Sequence, residues 1–318
     1  MPVADGPLIT ASGAYEGISG TDYHGVELCP EHSVSGSGLV LIEEESAAHY
    51  WDQCIHNPAR KVKKSKPHYA LGHLVHDLLL YQGMLPAEYH IVPDDFSPAH
   101  HKKWGDEMEG YRSAVEAGMN ILQQAEFEEA RAMAEACDRH ELAGALLMAG
   151  KPEVTLAAQD PKTGRWVRAR PDFLPDAMEI IPDVKTAVSA HPVEYERHAT
   201  RFGYFQKAAH YLDVIDLVFG EAPAKRRFVH IVIEKGPANE KHYPGKRYPV
   251  EIFDLDDGDI HEARLLNRRA LDIFDRCLST GQWPGYSTPE HPVLPLRMAP
   301  WKRRDITQRV EAGQLSYE

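Results

Sequence analysis

Residues 170–186 read RPDFLPDAMEIIPDVKT, with Asp172 in one short apolar run, Asp183 in the next and Lys185 two residues further on. Strand side chains two positions apart share a face, so Asp183 and Lys185 point the same way, as do Arg168, Arg170 and Asp172 on the preceding run. If the two runs pair as a hairpin, both aspartates converge at one end of a sheet with the lysine beside them. Two hard carboxylate oxygens suit Mg²⁺, with Mn²⁺ as the alternative, and such an ion keeps part of its water shell for chemistry. An ammonium beside that water can help generate the attacking hydroxide, while the metal stabilises charge developing on a phosphoryl group. The competing explanation of Asp183 and Lys185 is an ordinary surface salt bridge. The same D-x-K spacing recurs at Asp160 and Lys162, in a Gly-containing turn that aims at nothing.

Three further residues bear on the same sheet end. Glu153 opens the strand just before and is a third candidate acid. His76 lies in the helical stretch PHYALGHLVHDLLLYQ, near the stripe of Leu71, Leu74, Val75, Leu78 and Leu79, where a lone histidine reads either as a ligand or as a satisfied core residue. Arg170 should face the cleft of Asp172, where its guanidinium could grip a phosphate bidentately or form a structural ion pair with Asp172 or Glu153.

The elements that must position these groups follow from periodicity and punctuation. Residues 35–55 predict two short helices, 67–82 an amphipathic helix, and 97–149 a continued helical pattern rich in Ala, Glu and Met. Residues 153–158, 166–174 and 178–186 predict three strands, the first two joined by the turn QDPKTGR. A helix containing HYLDVIDLVF follows, then strands RFVHIVIEK and YPVEIFDL, then a long helix over 257–280. Helices followed by a mixed sheet with a crossing helix predict an α/β domain with a helical N-terminal portion. The whole of 1–318 is expected to be one domain, with an N-terminal arm and short helices over 1–60, a helical part over 61–150, a catalytic sheet core over 151–256, and a C-terminal helix and tail over 257–318.

Composition sets the outer bounds. The chain has 318 residues, 43% of them hydrophobic, enough to fill a core. Its start lacks a basic, apolar leader and no run of 18 apolar residues occurs, so a cytoplasmic protein without a membrane segment is expected. Cys29, Cys54, Cys137 and Cys277 lie far apart without a C-x-x-C spacing, which predicts reduced thiols rather than a zinc or iron–sulfur site. A formal net charge of −13 argues against a general polyanion binder. Two basic runs stand out locally: Arg60, Lys61, Lys63, Lys64 and Lys66, and the smaller Lys225, Arg226 and Arg227.

Taken together, GHLVHDLLL, PEVTLAAQDPKTGRWVRARPDFLPD, IIPDVKT and GYFQKAAHYLDV occur in the order found in the PD-(D/E)xK nuclease superfamily, and the chain resembles its exodeoxyribonuclease VIII (RecE) type exonuclease domains of phages and prophages. HSVSGSGL with SAAHYW resembles the N-terminal segment of that family, and WPGY with LPLRMAPW its C-terminal one, so the likeness spans roughly residues 23–301. The resemblance implies a restriction-endonuclease-like mixed central sheet flanked by helices. It implies that His76, Asp172 and Asp183 hold the metal, that the Val184 carbonyl adds a ligand, that Glu153 assists through metal or water, and that Lys185 activates the water. It further implies digestion of linear double-stranded DNA from the 5′ end, leaving a 3′ single strand for a single-strand annealing recombinase, and toroidal homo-oligomers.

Two rival readings are a catalytically silent scaffold that binds DNA ends, and a nuclease of the helicase-associated or CRISPR-adaptation branch. The first has no need of an intact acid cluster that destabilises the metal-free fold; the second usually brings a four-cysteine cluster. Crowding of Asp172 and Asp183 predicts that neutralising either stabilises the metal-free chain. One departure concerns the helix after D-x-K, where the family usually places a glutamine four residues before a tyrosine; here Lys207 holds that spacing to Tyr211 and Gln206 does not. At about 100° per residue, Phe202, Phe205, Ala209 and Leu212 should form the buried arc and Gln206, His210 and Asp213 the solvated one. Lys207 is then expected to reach a DNA phosphate with Tyr211 packed beside it, the alternative being a snorkelling surface lysine.

Overall fold

Short polar residues decide where several helices start. Ser19, Ser35, Ser46 and Asp256 each accept a backbone N–H of the first turn that follows, satisfying donors that have no partner inside the helix. The computed structural model describes residues 7–60, 67–222, 225–235, 248–287 and 291–316. Its elements run β1 (Gly13–Tyr15), α1 (Gly20–Gly25), β2 (Ser33–Ser35), α2 (Gly36–Glu44), α3 (Ala47–Gln53), α4 (Pro67–Leu80), β3 (Tyr89–Val92) and α5 (His101–Glu116). They continue as β4 (Asn120–Gln123), α6 (Gln124–Arg139), α7 (Glu141–Leu146), β5 (Gly150–Pro152), β6 (Thr155–Gln159), β7 (Trp166–Ala169), β8 (Phe173–Pro175) and β9 (Ile180–Ala187). The chain closes with α8 (Pro192–Arg201), α9 (Tyr204–Phe219), β10 (Arg227–Glu234), β11 (Val250–Asp254), α10 (Asp257–Thr280) and α11 (Pro300–Glu311).

The centre of the molecule is the sheet β11-β10-β9. β9 and β10 are parallel, which requires a crossover, and α8 and α9 supply it. The sheet is covered on both faces, and the strands are correspondingly apolar. Val184, Ile231 and Ile233 pack with Leu74, Val75 and Leu78 of α4 and Met133 of α6. On the other face Ala187 and Val232 meet Tyr195 and Ala199 of α8. A second sheet, β1-β6-β7-β2, lies against α2, α9 and α10 through Val34, Leu39, Leu156, Val167, Leu212 and Phe274. The mixed α/β architecture is that of a restriction-endonuclease-like fold.

Several sequence expectations change in detail. The run over 166–174 breaks after Ala169 into β7 and β8; β8 pairs antiparallel with β5 rather than forming a hairpin with β9. β9 instead spends its ladder on β10, more than forty residues later, because parallel pairing buries both of its faces. Within 97–149 the segment NILQ is not helical but is β4, paired in parallel with β3. The strands also extend beyond 151–256, since β1 joins β6 and β2 joins β7. Lys61, Lys63, Lys64 and Lys66 lie outside the described residues. Lys225, Arg226 and Arg227 are each ion-paired, to Asp257, Asp216 and Asp254. All four cysteines are free and buried.

Candidate active site

β9 presents Asp183 and Lys185 on the face shared with α8, where Asp183 stands opposite His230 and Lys185 opposite Val232 in the parallel register. Asp183 is only 5% exposed and its carboxylate forms an ion pair with the Lys185 ammonium. Lys185 Nζ also lies 3.5 Å from the Val184 carbonyl oxygen. Asp172 reaches the same strand without a hairpin. It sits in the turn between β7 and β8, and its Oδ2 accepts the Val184 backbone N–H at 2.8 Å. The other oxygen, Oδ1, is 3.0 Å from His76 Nε2. α4 can bring His76 this close because Gly72, one turn earlier, has no side chain; a Cβ there would stand 3.0 Å from Thr186 Oγ1. Asp172, Asp183, Lys185 and His76 thus meet at one edge of β9.

The electrostatics separate the two carboxylates. Burial opposes ionisation of Asp172, but His76 and Lys185 overcome it and hold that carboxyl well below the usual range. Burial and the neighbouring Asp172 charge push Asp183 up, against the pull of Lys185. Burial would lower His76, yet Asp172 outweighs it and raises the imidazole to about 8. Lys185 is likewise raised despite burial, by Asp183 and Asp172. Among the described residues no three His, Cys, Asp or Glu side chains are close enough to share one cation. Protonated His76 and Lys185 are the counter-charges instead. By chemistry alone the donors fit a hard divalent ion: the His76 imidazole, the Asp172 and Asp183 carboxylates and the Val184 carbonyl are groups it accepts, and it would replace the positive charge that His76 and Lys185 now provide.

Glu153 and Arg170 form a neighbouring pair rather than part of this quartet. Glu153, in the left-handed region at φ 49°, follows β5; its Oε2 accepts from Arg170 at 2.9 Å and from the Tyr81 hydroxyl, just past α4, at 2.8 Å. Arg170 also donates to the Ile18 carbonyl at 2.7 Å, and its side chain is 10% exposed. Of its two expected uses, the geometry takes the ion pair with Glu153. The second D-x-K aspartate, Asp160, caps its own turn at Thr163 and pairs with Arg268, a purely structural use.

On α9 the expected arcs are revised. Gln206 and His210 are buried, at 3% and 4% exposure, because α10 and β7 cover that flank: Asn267 donates to the Gln206 carbonyl, and His210 lies 2.9 Å from the Arg168 carbonyl oxygen. Asp213 pairs with Arg264, while Phe202 is exposed and precedes the helix. Lys207 Nζ lies over the Tyr204 ring at 5.1 Å, and Lys185 Nζ lies over the same ring at 5.3 Å. Burial and the Lys185 charge lower Lys207. Tyr211 packs against the core with its ring 6.1 Å from Phe228. Tyr81, Tyr195 and His230 were not legible as site residues. His230, pushed down to about 3 by burial and then by Lys185, stands 3.9 Å from Asp183 and 3.0 Å from the Tyr195 hydroxyl. Only the parallel register, which no local pattern encodes, places it there.

A restriction-endonuclease-like fold that brings Asp172, from the turn before β8, against Asp183 and Lys185 of β9 defines the class. The chain belongs to the family of PDDEXK-like domains of unknown function (DUF3799), which matches residues 35–289. A solved structure from Eubacterium rectale, described as a candidate exonuclease, is similar over 86% of this chain and 92% of its own, at 13% identity and a TM-score of 0.52. A phage-related exonuclease from Haemophilus somnus aligns over 79% of this chain and 97% of its own, at 14% identity and a TM-score of 0.30. No curated protein matches the chain. No described helix is long and apolar enough to cross a membrane.

Proposed function

We propose that this protein is a Mg²⁺- or Mn²⁺-dependent nuclease that digests linear double-stranded DNA from the 5′ end, leaving a 3′ strand for a single-strand annealing recombinase. The observation that carries this reading is the meeting of Asp172, Asp183, Lys185 and His76 at one edge of β9, with the two carboxyls driven apart in acidity. His76, Asp172, Asp183 and the Val184 carbonyl would hold the cation. When bound, it supplies the Lewis acidity that makes hydroxide available near neutral pH and offsets phosphoryl charge. With the cation held by Asp183, the Lys185 ammonium would be free to hydrogen-bond the attacking water or stabilise the phosphoryl oxygens. His230, neutral and backed by Tyr195, limits the ways Asp183 can turn. Lys207, beside Tyr204 and facing Lys185, is the group for a neighbouring phosphate, and Glu153 holds Arg170 and the strand entrance in place.

Digestion of end-labelled linear and circular duplexes, each with Mg²⁺ and with EDTA, tests this. Loss of label from the linear substrate alone, and only with the cation, is expected. Equal rates on circular and linear DNA would remove the exonuclease assignment.

A further inference from the structure

Beyond residue 290 the chain changes character. Residues 291–316 carry Arg297, Lys302, Arg303, Arg304 and Arg309 against Asp305 and Glu311, a net +3 in a chain of −13, so the remainder bears −16. No residue of α11 is buried. This segment also lies outside the span matched by the family. Pro300, Arg303, Arg304 and Thr307, at helical spacings of three and four, share one face of α11. Together with Arg297 and Met298 they line an open hollow of about 720 Å³. Lys302 is paired with Asp305, but the guanidinium groups of Arg297, Arg303 and Arg304 have no partner among the described residues. Trp301, one turn before Arg304, is 66% exposed.

Unpaired guanidinium groups around a hollow, next to an aromatic ring left in water, are the two parts of a single-strand nucleic-acid site. The cations follow the phosphates, and the ring offers a stacking surface to any base. A duplex would use the charge but not the ring, since its bases are already stacked. The charge contrast adds to this: the arm bears +3 beside a remainder of −16, so it is a local attractive patch for phosphates, while the exposed ring is what favours a single strand over a duplex.

We propose that the arm formed by residues 291–311 binds single-stranded DNA, with Arg297, Arg303 and Arg304 on the phosphates and Trp301 stacked on a base. This rests on the nuclease reading for its biological sense, since a single strand is the product of that reaction, but the binding itself requires no catalysis.

The test is fluorescence anisotropy of a labelled single-stranded oligonucleotide, and of a blunt duplex of equal length, titrated with the full chain in EDTA across a salt series. Wild type, Trp301→Ala and the triple variant R297A/R303A/R304A are compared. As nothing in α11 is buried, all three should fold alike, which thermal midpoints would verify. Expected are tighter binding of single strand than duplex, a loss of about tenfold for Trp301→Ala, and for the triple variant a larger loss with a log–log salt slope shallower by about 2. Unchanged single-strand affinity in both variants would overturn the proposal. So would a change confined to oligomeric state by light scattering, which would make the arm a protein interface. Asp183→Asn separates the two readings: it should abolish hydrolysis and leave single-strand affinity intact. If wild type hydrolyses no DNA while the arm variants still lose binding, the nuclease reading fails and the arm stands.

Discussion

At the scale of residues, the metal-free site is balanced by charges that a cation would displace. Asp172 and Asp183 were expected to behave alike, but their surroundings differ. Asp172, its acidity increased by His76 and Lys185, contributes stability above its unfolded value that is lost as pH falls through its lowered one. Asp183 is raised, so the fold disfavours its charge at neutral pH. In EDTA, Asp183→Asn should raise the thermal midpoint by roughly 2–4 °C, about 1 kcal/mol, whereas Asp172→Asn should lower it. Shifts of the same sign in both variants would refute this division. His76 gives the opposite slope. Raised from 6.5 to about 8 by its carboxylate partner, it contributes stability that is complete below pH 6.5 and disappears as pH rises through about 8. A midpoint that falls across that window in wild type, and stays flat in His76→Gln, is the expected calorimetric result. For turnover, Lys185→Ala should cost at least about 10²-fold in rate with DNA affinity in EDTA little changed, because the ammonium acts chiefly at the transition state. Near-wild-type turnover would remove it from the mechanism.

At the scale of elements, what could be read was what local pattern controls. The long helix over 257–280 coincides with α10, whose Asp256 cap and Gly281 terminus are both local signals. The two short helices of 35–55 and the hairpin across QDPKTGR were legible for the same reason. β4 was not, because NILQ is a strand only through β3, thirty residues away. The partner of β9 was likewise hidden: alternation and apolarity say that a run is buried, not which strand it joins. The acid pair was nonetheless legible, since Asp172 reaches Val184 by a side-chain bond that tolerates an error in strand pairing. The contribution of α4 depends on a close approach that Gly72 permits. Gly72→Ala should move the helix outward by a few tenths of an ångström and carry His76 with it, lowering activity about tenfold with little loss of helix. Adding Thr186→Ala, which removes the opposing hydroxyl, should restore most of that rate. A double variant no better than the single one would show that α4 is not positioned by this contact.

At the scale of the whole molecule, the start and end of the matched region are held together by aromatic packing. Trp51 of α3 stacks on Trp283 at 4.8 Å, and His32 and Tyr50 meet both Phe274 of α10 and Trp283. This frame fastens α3 to the C-terminal part of α10 and the segment that follows it. A site that holds buried acids should bind a cation in the folded state only, and that linkage would make the ion a stabiliser of the entire chain. With free Mg²⁺ or Mn²⁺ at about a hundred times its Kd, the gain is about 2.7 kcal/mol, or roughly 5 °C or more in thermal midpoint. The gain should grow between pH 6.5 and 8.5, because the cation must displace the proton that Asp172 helps His76 to keep. Asp183→Asn should lose most of the cation-dependent rise at every pH while retaining its higher metal-free midpoint. A wild-type midpoint indifferent to the cation throughout this range, or an equal rise in Asp183→Asn, would show that the acids at the edge of β9 do not form a metal site.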